Sequence, residues 1–368
     1  MRFRFVPSLL VIGLLAALPA ISQQASNPLS EFSDPSRVWG TGVEAVIEEA
    51  YRLCFRTYII GGKMMNLRMP FAQNHERETI AGQAWELVEG GKGDPAALWL
   101  SIGGALRSGD FQRYIEALSD GREKVIIFDM PNRNWSVSRD FFDIARMKAD
   151  AYRQLPHQPW VLVPGRSIGE TDVYNYLYCV GWVGMDCSGF VWNVLSSIAR
   201  SGGADLTSLL GPSLGAPPGS AAAYYVGTWF FNSNNRALIS VADEIRNLRP
   251  ADILLFRGAD GGAVHSAIIQ SVNLQTGVIR YLQSTDEAPP GERGVHESFI
   301  YFDPAHPELS LKDSSVRWAQ KRYPPFPGEI SSPFSDDGER YRAYGEYGGG
   351  RVVRLRALEP VIEKLGQR

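Results

Sequence analysis

Cysteine and histidine are scarce in this chain of 368 residues, numbering three and five. The histidines are scattered, and neither H-x-x-x-H nor C-x-x-C occurs, so no metal-ligand set or cofactor is expected. Charge of one sign is not in excess either. Lys and Arg total 37 against 40 Asp and Glu, a net charge of −3, which argues against a nucleic-acid binder. After the N-terminal residues no stretch is long and apolar enough to span a membrane, and no repeat or long polar tract appears. What remains is a globular composition, 44% hydrophobic and 21% charged, in a chain long enough for one large or two ordinary domains.

The N-terminus reads as a secretory signal peptide over residues 1–22. Arg2 and Arg4 precede an apolar run from Val6 to Ala17, and Ala20 and Ser22 supply small residues for cleavage near Ser22/Gln23. An uncleaved anchor is the alternative. No cysteine lies near the cleavage point, which argues against a lipoprotein. Export to a periplasmic or extracellular location follows. Residues 23–37, rich in Ser, Asn and Pro, read as a linker. An odd cysteine count leaves at least one free thiol in an exported chain, and Cys54 and Cys179 either pair or stay as buried thiols.

Residues 38–159 read as a mostly helical region. Helical spacing covers residues 42–58, 79–88 and 95–118, the last interrupted at Gly103-Gly104 and Gly109-Asp110. A helix over 138–155, capped by Ser138, lines up Phe141, Ile144, Ala145, Ala149 and Tyr152. Lys124–Phe128 reads as a buried strand and His75 as a surface-loop residue.

The stretch most suggestive of chemistry is Gly184-Met185-Asp186-Cys187-Ser188-Gly189-Phe190. Phe190, Val191, Val194, Leu195 and Ile198 share a helical face, Asp186 suits the N-cap, and Gly202-Gly203 end the helix. A thiol at that helix start is favoured as thiolate. Downstream, Val264–Ile269 alternates as a strand carrying His265. Asn273–Gly277 turns the chain, and Val278–Gln283 returns. Pairing Val272 with Val278 makes Gln283 a diagonal neighbour of His265; pairing Ser271 with Gly277 sets them face to face. Either register puts both on one face, where an amide oxygen can orient the imidazole. His296 is the rival for that orienting position.

Around these, Trp160–Val163 reads as a strand opening the catalytic segment, and Ser201–Ala223 as a long loop bordering a cleft. Trp229-Phe230-Phe231 suits a core or a substrate wall. Phe299–Phe302 and Arg351–Leu355 read as strands, His306 as a loop residue, and 324–350 as an irregular surface segment.

Asp186-Cys187-Ser188-Gly189-Phe190, then Arg249-Pro250-Ala251-Asp252-Ile253, then His265-Ser266-Ala267-Ile268-Ile269 resembles the NlpC-type cell-wall cysteine peptidases, over roughly Trp160 to Phe302. Tyr178 matches a tyrosine that the family keeps near its nucleophile. Ala251 stands where the family usually has Gly, Gln283 stands where His is commoner, and the Tyr178–Cys187 spacing is shorter than usual. The resemblance implies an α+β, papain-like fold over residues 160–368, a nucleophile helix packed on an antiparallel sheet. It implies a cysteine endopeptidase that cuts peptidoglycan stem peptides. Cys187 would be nucleophile, His265 base and Gln283 the orienting group, with Tyr178 and Ser188 at the oxyanion or substrate. An amidase or acyltransferase on another substrate, or a catalytically silent cell-wall-binding module, are the alternatives. Oligomeric state is left open.

Overall fold

A computed structural model describes residues 41–72, 76–80, 83–87, 94–129, 132–150, 160–163, 168–214, 222–285, 293–321, 334–336, 344–345 and 349–366. The expected signal peptide and linker, His75, the 286–292 stretch and most of 324–350 lie outside these residues.

Helix α1 (Val43–Arg52) buries Val43, Ile47, Ala50 and Tyr51. It stops earlier than its spacing suggests. Phe55–Ile60, aromatic and β-branched, forms strand β1 and pairs with β2 (Lys63–Arg68) around Gly61 and Gly62, whose φ angles of 56° and 76° suit a tight hairpin. A second correction falls on 79–88. There β3 (Glu76–Ile80) and β4 (Gln83–Leu87) pair as a hairpin, since a short window does not separate one helix from two strands.

Helix α2 (Pro95–Leu106) runs through Gly103-Gly104 and is capped by Asp94, while α3 (Gly109–Leu118) is capped by Ser108. Strand β5 (Lys124–Asp129) is followed by β6 (Asn134–Ser138) and α4 (Phe141–Asp150). Ser138 ends a strand instead of capping the helix. The Asp140 carboxylate takes that place, accepting from the Phe142 N–H at 2.8 Å, and Phe141 is 75% exposed. Strand β7 (Trp160–Val163) pairs with β5, so it completes the sheet β6-β5-β7 of the N-terminal region. Residues 38–159 are therefore mixed and not mostly helical: six strands, β1 to β6, accompany four helices among the described residues.

Helix α5 (Glu170–Tyr176) continues into a π turn, Leu177–Gly181, and α6 (Cys187–Ser201) follows. The expected loop over 201–223 contains α7 (Leu206–Leu210), with the Asp205 carboxylate accepting from the Ser208 N–H at 2.8 Å. In α8 (Thr228–Asn232) Phe230 and Phe231 are core while Trp229 is exposed. The remaining elements are β8 (Leu238–Val241), β9 (Ile253–Arg257), β10 (Ala263–Asn273), β11 (Val278–Thr285), β12 (Gly294–Tyr301), β13 (Arg317–Lys321), β14 (Phe334–Asp336), β15 (Arg351–Leu355) and α9 (Glu359–Gly366). The strands form one antiparallel sheet in the order β14-β13-β12-β11-β10-β9-β15-β8.

Alternation along the central strands sends Leu255, Ile268, Leu282 and Val295 to one face and Phe256, Ala267, Ile269 and Tyr281 to the other. The first face lies under α6, and its apolar cluster extends from Val43 to Leu365, so the N-terminal region and the large sheet share a core. The second face is closed by Trp318 and by Tyr344, a fully buried ring in the segment read as irregular surface.

Candidate active site

Asp186 adopts an extended conformation and caps α6. Its carboxylate accepts from the Gly189 N–H and from the Ser188 hydroxyl, the latter at 3.0 Å. Cys187 is the first helical residue and is partly exposed. Ser188 is buried, its hydroxyl donating to Asp186, so it supports the turn. The turn ahead of Cys187 is held from two sides: Met185 N–H donates to the Pro70 carbonyl at 2.8 Å, and the Met185 carbonyl accepts from the Ser284 hydroxyl at 2.7 Å. Gly184 is needed for that approach, since a Cβ there would stand 2.3 Å from the Pro70 oxygen.

Cys54 and Cys179 do not pair. Both are buried free thiols, and burial pushes each up to about 12. Cys187 is the accessible sulfur of the three.

Next to its turn the hairpin that carries the imidazole departs from both expected registers, and beyond a bulge it returns to the first of them. Val272 pairs with Ile279 and Ser271 with Arg280. Carried along the strands, that pairing would set Gln283 on the face opposite His265. A bulge at Gln270 intervenes; beyond it Ile269 faces Tyr281 and Ile268 faces Leu282. The one-residue shift returns Gln283 to the face of His265. His265 Nε2 then lies 2.8 Å from Gln283 Oε1, with both residues buried. The Gln283 amide is oriented from behind, its Nε2 donating to Ser298 Oγ at 2.9 Å and to Gln320 Oε1 at 3.1 Å. With its oxygen turned to His265, the imidazole carries its proton on Nε2 and is basic at Nδ1. The Phe256 ring packs beside it, 5.4 Å between centroids.

Ser298 and Gln320 escaped the sequence reading. Ser298 lies two positions beyond His296 on the same strand face, a signal alternation carries, whereas nothing local marks Gln320. His296 itself pairs opposite Gln283, and its Nδ1 lies 2.8 Å from the Gly294 carbonyl, so Gln283 is the residue that meets His265.

Tyr178 sits on the π turn with the Arg293 guanidinium 4.8 Å from its ring centroid. The start of β10, the end of β11 and the start of β12 lie at one end of the sheet. The N-terminal region closes this end, with Val295 N–H donating to the Met69 carbonyl at 3.0 Å. The structure thus joins His265 to Gln283 directly and ties the turn of Cys187 to β11 through Ser284, the neighbour of Gln283. Helix α6 covers the face of Ile268 and Leu282, and His265 shares the other face with Phe256. Comparison of the chain with protein-family models, curated proteins and solved structures returned no match.

Proposed function

We propose that the chain is a papain-like cysteine hydrolase that cleaves amide bonds in peptidoglycan stem peptides, exported to reach that substrate. The observation that carries the reading is the buried His265–Gln283 hydrogen bond of 2.8 Å, since an imidazole with one nitrogen pinned to an amide oxygen presents the other as a base. Cys187, at the positive end of α6, supports it as the accessible thiol.

In this mechanism Cys187 and His265, carried on opposite faces, meet around the end of the sheet where β10 begins and β11 ends; there His265 Nδ1 takes the Cys187 proton and the thiolate attacks the peptide carbonyl. The Cys187 backbone N–H, at the first turn of α6, donates to the developing oxyanion, and the Tyr178 hydroxyl is the second donor. The imidazolium then protonates the leaving amine. Water, deprotonated by His265, hydrolyses the thioester and restores the thiol. Gln283, held by Ser298 and Gln320, keeps the ring in one tautomer throughout.

The test is mass analysis of muropeptides incubated with the protein and with Cys187→Ala. New stem-peptide fragments with the first and none with the second are expected. Intact muropeptides in both would overturn the reading, and transfer of an acyl group to an amine acceptor without hydrolysis would reassign it to acyl transfer.

A further inference from the structure

The π turn Leu177–Gly181 carries Tyr178, and the residues on either side of it, Tyr176 and Trp182, are both fastened to one hairpin of the N-terminal region. Before the turn, the Tyr176 hydroxyl donates to Asp110 Oδ2 at 2.9 Å, and Trp135 of β6 donates to the same oxygen through Nε1 at 3.1 Å. Both rings also close on Tyr114, each with its centroid 5.1 Å away. After the turn, the guanidinium of Arg133, between β5 and β6, stands 4.2 Å from the Trp182 ring centroid. Trp182 is buried and Arg133 exposed, so the cation covers the indole.

Trp182 needs such a hold. It takes the left-handed conformation, φ 46°, at a helix end where glycine is usual, and its N–H donates to the Leu177 carbonyl. A bulky side chain is strained there and persists only where its surroundings fix it. The π turn is itself a rare departure from the α-helical repeat, of a kind that recurs at functional sites.

We propose that the β5–β6 hairpin is a two-point clamp on the π turn, with Asp110 and Arg133 as positioning residues that act through Tyr176 and Trp182 to aim the Tyr178 hydroxyl. This deepens the hydrolase reading, on which the oxyanion role of Tyr178 rests, and gives the N-terminal region a part in the reaction. Releasing either end lets the turn relax toward the α-helical repeat of α5, which points Tyr178 in a new direction.

Hydrogen exchange of the amides of residues 177–183 measures the clamp without any substrate. Arg133→Ala in the full-length protein is expected to speed it about 3- to 30-fold, the range of one cation–π contact, and Arg133→Lys to give back part of the protection. Hydrolysis of a muropeptide measures the consequence. Arg133→Ala should lower kcat about 3- to 10-fold with KM little changed, and Asp110→Ala should act the same way. Neither should lower kcat further once Tyr178→Phe has removed the hydroxyl, whereas a general loosening of the fold would do so. Equal losses in the two backgrounds, or exchange that Arg133→Ala leaves unchanged, would overturn the proposal. Urea unfolding of each variant separates a released turn from a lost fold. Wild type that cleaves no muropeptide sinks the hydrolase reading, and the exchange rates then decide by themselves whether the clamp stands.

Discussion

Exposure separates Cys187 from the other two thiols. Cys54 and Cys179 are buried in apolar surroundings that hold them protonated, and Cys187 opens α6 where backbone N–H groups point outward. A limiting haloacetamide at neutral pH is therefore expected to alkylate one thiol per native chain. Cys187→Ala should leave none labelled until denaturant is added, as peptide mapping would show; a second site labelled in the native protein would contradict this. Gln283 invites a different measurement. Gln283→Ala frees Nε2 of His265 and removes the group that selects its tautomer, so kcat on a stem peptide should fall about 10- to 100-fold with KM little changed. Ser298→Ala, which only loosens the Gln283 amide, should cost a few-fold. Equal losses in the two variants would mean that the amide does not act through His265. Ala251 is a third telling residue. It takes a positive φ of 74° at the position where the resembled family carries Gly, and its N–H is engaged by the Ile269 carbonyl. The left-handed conformation costs an alanine about 1–2 kcal/mol, a strain the surrounding hydrogen bonds must hold.

At the scale of elements, the turn before Cys187 and the N-terminal region cannot be separated. Met185 bonds to Pro70 and Val295 to Met69, so the segment after β2 is clamped between the turn before α6 and the start of β12. Gly184→Ala should push this segment away. A loss of about 2–4 kcal/mol in urea unfolding is expected, together with slower alkylation of Cys187, because the new methyl meets a backbone oxygen and not a yielding side chain. Unchanged stability would show that the segment moves freely. The same elements show what can be read before folding. Helix α6 was legible because cap, apolar stripe and glycine stop agree over fifteen residues, and β10 and β11 because alternation is clear on both sides of an Asn-to-Gly turn. The bulge was not, since Gln270 fits the alternation and its extra position becomes visible only in the pairing with β11. Most of β1 and of the β3–β4 hairpin was lost to helical spacing over 42–58 and 79–88, because strands of five or six residues give a period too little length to declare itself. The place of Trp160–Val163 was equally hidden, since its partner β5 lies more than thirty positions earlier and only the long-range pairing assigns it.

Across the whole molecule, one buried charge cluster links the halves. Arg280 of β11 donates to Glu48 of α1 at 2.7 Å and to Glu297 of β12 at 2.8 Å, Lys321 of β13 pairs with Glu297, and the Tyr51 ring lies 5.2 Å from the Arg280 guanidinium. Arg52 also donates to Glu48 at 3.3 Å, so three cations meet two carboxylates, and Arg280, Glu48 and Glu297 are all buried. Such a set adds little net stability when complete, yet removing one member strands a buried charge, so Glu48→Gln should cost about 3–5 kcal/mol. The cluster also dictates a response to acid. Burial by itself would raise the Glu297 carboxyl, but Arg280 and Lys321 outweigh burial and hold it below its ordinary value. A carboxyl lowered in the folded state contributes stability that is fully present above its unfolded value of about 4.3 and is lost as pH falls through the folded value. Urea midpoints measured from pH 7 downward should therefore hold until about pH 4.5 and then drop. Glu297→Gln starts from a lower midpoint, since Arg280 and Lys321 lose a partner, but it has no proton to take up there, so its decline below about pH 4.5 should be shallower. The slope, and not the starting stability, is the decisive quantity: parallel declines in the two proteins would show that this cluster does not govern acid unfolding and that its role ends at holding α1 to the sheet.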